Sequence, residues 1–179
     1  MSPTASKAPP VVSEFERRAA RAETLAKTAP ACEQPLRFAA GLYRAQARVA
    51  AALAARHADQ PFSGHLPDDA ERFADQVPVI LRYAAESGPA VLSEEARSRQ
   101  SDPPLTAQAR LVTFWQGDRR SIEDYLSRAT LRPYVEFLRA ASVAPRRSHR
   151  EGACPLCGGA PWVAARREGS LMEGARRML

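Results

Sequence analysis

Cysteine, aromatic side chains and long apolar runs are all scarce in this chain. Its three cysteines, Cys32 alone and Cys154 with Cys157, are too few for a disulfide framework and point to reduced thiols. No stretch reaches the ~20 apolar residues of a membrane-spanning helix, and Met1 to Pro10 lacks the apolar core of a secretory signal. The expectation is a cytoplasmic protein with no membrane span. Aromatics make up 7% of the residues while alanine is abundant, which favours closely packed helices over a sheet built on Val, Ile and Tyr. Also missing are the Gly-x-Gly-x-x-Gly, P-loop, Gly-x-Ser-x-Gly and His-Glu-x-x-His patterns, so no enzyme is expected and a binding or assembly role is favoured. The acidic neighbours Asp68/Asp69 and Glu94/Glu95 diverge on a helix and suit capping and solvation better than acid–base work.

What is present is enough for one core: 179 residues, 45% of them apolar. The fold class expected is mainly α. A disordered start over 1–12 precedes a helical domain over 13–144, and 145–179 holds a linker and the first part of a Cys-x-x-Cys module.

Ser13-Glu14-Phe15-Glu16 has the form of a capping box and predicts a helix start. Phe15, Ala19, Ala22, Leu25 or Ala26, and Ala29 then recur at three and four, with Arg17, Arg18 and Arg21 outward. The run Pro35 to Ala58 carries a wide apolar face that includes Leu42, Val49 and Leu53, which predicts a central helix, with Gln46 as a hydrogen-bonded core polar group. A loop follows over 59–67, and Asp68 or Asp69 is placed to cap the next helix.

Two short helices split near Val77-Pro78 are expected next, then one from Pro89 to Gln100 and one ending at Gly117. Ser121 to Asp124 opens a further helix, and Thr130 is placed to cap the last one, with Pro133 in its first turn. The total is six or seven helices in an antiparallel or irregular α-domain.

Beyond Ala144-Pro145 the pattern changes. Seven arginines against three glutamates give residues 146–179 a net +4 of the chain's +6. Cys154-Pro155-Leu156-Cys157-Gly158-Gly159 has the spacing at which two thiolates grip one metal from a tight turn. A redox pair would need a helix start after a buried strand, whereas a basic linker precedes this pair and Gly158-Gly159 follows it. Buried inert thiols would need a core that this polar segment does not offer.

Ligation by Cys154 and Cys157 is therefore favoured, and it is half of a tetrahedral set. His149, His65, His57 and Cys32 are the other candidates in the chain, each reading better as a loop or surface residue. Short strands over 161–167 and 175–179 would make the beginning of a zinc-ribbon or rubredoxin-like β module. The arginines around the knuckle leave a second class open, a small nucleic-acid-binding zinc-knuckle protein; exposed aromatics between the arginines are lacking apart from Trp162, which makes nucleic acid the weaker expectation.

The segment Glu151-Gly152-Ala153-Cys154-Pro155-Leu156-Cys157-Gly158-Gly159-Ala160-Pro161, with Glu173-Gly174-Ala175-Arg176-Arg177-Met178-Leu179 downstream, resembles the formate dehydrogenase accessory protein FdhE family. Arg17 to Ala22 leading to Pro35-Leu36-Arg37-Phe38, and the stretch Ser121 to Leu138, resemble its helical domain. In that family further Cys-x-x-Cys pairs follow and complete rubredoxin-like metal modules; none is present in this sequence, so the chain resembles the N-terminal part of such a protein, truncated within the metal-binding region. The resemblance implies a cytoplasmic maturation factor that binds the catalytic subunit of a formate dehydrogenase and supports its assembly or cofactor insertion. It implies zinc or iron as the metal at Cys154 and Cys157, with an incomplete ligand set here.

Overall fold

A computed structural model describes residues 9–117 and 124–144, and over these the chain is mainly helical, with no strand among the described residues. Its helices are α1 (Pro10–Thr28), α2 (Glu33–Asp59), α3 (Leu66–Phe73), α4 (Val77–Ser87), α5 (Ala90–Gln100), α6 (Pro104–Gln116) and α7 (Tyr125–Ala140), with single 3-10 turns at Pro30–Cys32 and Ala74–Gln76. None of the described helices is long and apolar enough to cross a membrane. The β module expected over 145–179 lies outside the described residues.

Proline starts these helices more often than side-chain caps do. Pro10, Pro67, Pro78 and Pro104 each sit in the first two positions of their helix, where the fixed φ suits the turn and the missing N–H has no partner to lose. This corrects two expectations. α1 begins at Pro10, so Ser13 lies inside the helix without capping it, and the first helix reaches back into the stretch expected to be disordered. The added turn buries Val11 beside Phe15 and continues the stripe Val11, Phe15, Ala19, Ala22, Ala26. α3 likewise begins at Leu66, so neither Asp68 nor Asp69 is its cap.

α1 and α2 form a helical hairpin around the 3-10 turn at Pro30–Cys32, joined across their outer faces by Arg44 Nη2 to Glu23 Oε1 at 2.6 Å. The small stripe of α1 lets the helices approach closely, and α2 buries Leu42, Val49 and Leu53 as the centre of the core, in contact with α1, α4 and α7. Arg18 does not point outward as expected. It bridges Glu14 of its own helix and Glu136 of α7, with Nη1 2.6 Å from Glu136 Oε1.

Glu136 also accepts from Arg132 Nε at 2.9 Å. Burial alone would push its carboxyl up, but the hydrogen bonds from Arg18 and Arg132 outweigh this and hold it below the ordinary value of 4.5. A depressed carboxylate contributes stability that is complete above the ordinary value and is lost as pH falls through the folded one. The melting temperature should therefore drop as pH is lowered below 4.5, and Glu136→Gln should flatten that slope. A pH series of thermal melts on both proteins measures it.

α7 is one helix where two were expected. Asp124 is its N-cap, accepting from Ser127 N at 3.0 Å, and Thr130 and Pro133 lie buried in its interior. Pro133 brings no N–H for the carbonyl of Ala129, four residues earlier, which would leave that acceptor orphaned in the core. Gln46 of α2 repairs the gap: its Nε2 donates to Ala129 O at 2.8 Å. The core glutamine expected from the sequence is thus a splint for a proline-broken ladder, its Oε1 being buried without a hydrogen-bond partner.

The last turn of α7 closes with Val143 N donating to Leu138 O at 2.9 Å and Ser142 N to Arg139 O at 3.2 Å, the paired bonds of a Schellman motif. Its left-handed position is held by Ser142 at φ 57°, where glycine is the unstrained choice. Ser142→Gly should raise stability by about 0.5–1 kcal/mol, relief of the left-handed strain exceeding glycine's greater freedom in the unfolded chain. Urea denaturation of the two proteins is the check.

Candidate functional site

The most heavily hydrogen-bonded group in the core is a carboxylate. Asp69, 2% exposed, faces inward from the first turn of α3 while Asp68 faces solvent, so the adjacent pair diverges as the helix requires. Asp69 Oδ1 accepts from Ser63 N at 3.0 Å; Oδ2 accepts from Gly64 N at 3.1 Å and from the Tyr134 hydroxyl at 2.5 Å. The loop 60–65 is thereby bent over the carboxylate. Gly64 takes φ +78° there and passes so close to the carbonyl of Ala144 that no Cβ would fit.

Burial and the donated bond to Asp69 both push the Tyr134 phenol far up, so it stays protonated as a donor. Asp69, Tyr134 and the loop amides satisfy one another and close the core. No reacting position is left open between them, and the group is a clasp that fastens the loop 60–65 to α7.

The histidines and the free thiol of this region are spread apart. His57 stands beside Phe62 and edge-on to Phe137, with Nδ1 accepting from Phe62 N at 3.1 Å. His65 lies 3.0 Å from Asp68 through Nδ1, and Cys32 is exposed at the turn between α1 and α2. Among the described residues no three His, Cys, Asp or Glu side chains are placed to hold a metal ion, so His57, His65 and Cys32 do not make a metal site with one another. Cys154, Cys157 and His149 lie outside the described residues.

The described helices pack around an apolar core, with no such ligand group among the described residues. Treatment with a chelator such as EDTA should leave the helical circular dichroism and the melting temperature of the chain unchanged. A cooperative loss of helix on chelation would show that metal holds the helical unit together.

Glu94 and Glu95 are exposed on α5, where Glu95 pairs with Arg99 at 2.6 Å. An open cleft of about 580 Å³ between α1 and α7 is lined by Glu14, Arg17, Glu136 and Arg139, and its two carboxylates are already engaged by Arg17, Arg18 and Arg132.

A surface that the sequence reading missed lies where α2, α4 and α7 meet. Tyr83 stacks on Phe38 with ring centroids 5.5 Å apart, and its hydroxyl donates to Phe38 O at 2.9 Å. Gly41 makes room for that ring, since a Cβ there would collide with it. Arg132 sits over Tyr43, 5.5 Å from the ring centroid. Tyr125 is 44% exposed, and its hydroxyl lies within electrostatic reach of Tyr43, Tyr83, Arg128 and Arg132.

Three of the chain's four tyrosines thus gather with arginines on one face. The spacing of Tyr125, Arg128 and Arg132, three and then four residues, was a readable signal for one helical stripe.

No protein-family model, no curated protein and no solved structure matches this chain.

Proposed function

We propose that this chain is an accessory factor for formate dehydrogenase, one that binds the enzyme's catalytic subunit in the cytoplasm and supports its assembly or cofactor insertion. The observation that supports this reading is the Cys154-Pro-Leu-Cys157-Gly-Gly segment with its flanks, carried behind a mainly helical unit. Such a factor needs a surface that recognises a client more than it needs a reactive centre, and the resemblance at the cysteines supplies the client's class. Cys154 and Cys157 are proposed as two metal ligands, for zinc or iron, in a set that this sequence does not complete.

The test is association between the purified chain and a purified formate dehydrogenase catalytic subunit by size-exclusion chromatography. Co-elution is expected for the chain and for its Cys154→Ser/Cys157→Ser form, because the helical unit is the proposed contact. Separate elution of both, while a chain extended by further Cys-x-x-Cys pairs does co-elute, would remove the helical unit as the binding surface.

A further inference from the structure

We infer that His57 makes the loop 60–65 an acid-released latch at the end of α7. Side chains hold most of the backbone of this loop. Arg72 donates to the carbonyls of Gln60 and Pro61, Asp69 takes the amides of Ser63 and Gly64, and His57 Nδ1 takes the amide of Phe62 at 3.1 Å. Phe62 is the anchor, buried and packed on the rings of His57, Tyr134 and Phe137. Two residues later Gly64 lies against Val143 and the carbonyl of Ala144, so the loop bears on the residues that follow α7.

Of these holding groups, His57 is the one whose ordinary titration falls near neutral pH. An unprotonated ring nitrogen accepts a hydrogen bond, whereas a protonated one donates. Because Nδ1 accepts from Phe62, the ring carries its proton on Nε2 while the loop is latched. The ring is half-buried, so water reaches it. A second proton taken from water puts N–H on both nitrogens, and the Phe62 amide then faces a donor and has lost its acceptor among aromatic rings.

The charges around the ring do not offset that loss. On α2 its neighbours are Arg56, committed to Asp75, and the exposed Asp59. From α3 come Asp69, taken up by the loop amides and Tyr134, together with Arg72 and the exposed Glu71. The rings that α7 brings, Tyr134 and Phe137, are uncharged. No carboxylate of the described residues pairs with His57. Arg72 already sits over the Phe62 ring, 4.3 Å from its centroid, so an imidazolium stacked on the same ring would be a second cation there. One contact works the other way: His65 Nδ1, 3.0 Å from Asp68, gains an ion pair when protonated and keeps the far end of the loop at the start of α3. Acid therefore frees the loop at Phe62. This inference rests on the loop geometry and is independent of the formate dehydrogenase reading.

The experiment is amide hydrogen exchange of the full chain, resolved by residue with NMR at pH 8 and pH 5.5, each rate taken as protection relative to a free amide. The interval spans the ordinary histidine value of about 6.5 and stays above 4.5, below which Glu136 titrates. Protection at the Phe62 amide is expected to fall about tenfold in acid, the worth of one hydrogen bond, while Val49 and Leu53 in the body of α2 keep theirs. His57→Gln, whose amide oxygen still accepts, should hold Phe62 protected at both pH values, and His65→Gln should respond as wild type does. The ring nitrogen shifts of His57 at pH 8 should show the Nε2–H tautomer, a reading that needs no variant. Equal protection of Phe62 at both pH values in wild type, the same fall in His57→Gln, or the Nδ1–H tautomer would each overturn the proposal.

Discussion

Replacing Asp69 by alanine is expected to lower the unfolding free energy by about 3–5 kcal/mol, because the amides of Ser63 and Gly64 and the hydroxyl of Tyr134 all lose their acceptor inside the protein. Against the roughly 5–15 kcal/mol of a typical domain this is a large share. Tyr134→Phe should cost less, about 1.5–3 kcal/mol, since it removes one bond to the carboxylate and leaves both amides satisfied. Asp69→Asn should fall between wild type and alanine, keeping one acceptor oxygen. Urea denaturation of the series measures these differences. Equal, small losses throughout would mean that the loop 60–65 is not fastened by this carboxylate.

The second large effect is a coupling. Gln46→Leu should cost about 1–2 kcal/mol, the penalty of leaving Ala129 O unpaired, reduced because the unpartnered Gln46 Oε1 goes as well. In a Pro133→Ala background the same substitution should cost much less, since alanine at that position restores an N–H to bond Ala129 O along the helix. The four proteins make a double-mutant cycle whose expected interaction energy is about 1 kcal/mol or more. Strict additivity would show that Gln46 and Pro133 are unrelated.

Local chemistry was the legible part of the fold. Alternating steps of three and four marked the buried stripe of α1, and Pro78 and Gly117 marked helix limits where α4 does begin and α6 does end. The misplaced boundaries have long-range causes. Nothing near Pro133 indicates that a side chain 83 residues before Ala129 will satisfy the carbonyl that the proline orphans, so the sequence divides a helix that the fold keeps whole.

Asp68 or Asp69 was expected as a cap from the local sequence, whereas Asp69's partner Tyr134 lies 65 residues away. Ser13 had the residues of a capping box, but burying Val11 favoured an earlier start. The tyrosine–arginine face was hidden for the same reason, being assembled from three helices far apart in the chain. Only its stripe on α7 is visible in the sequence. At the metal candidate, the thiol spacing was legible at Cys154 and Cys157, which lie outside the described residues.

The most direct measurement of the proposed role is hydrogen exchange of the chain alone and mixed with a formate dehydrogenase catalytic subunit at saturating concentration. The account predicts slowed exchange within the helical unit, 9–144. Unchanged exchange throughout the chain in the presence of the subunit would contradict it.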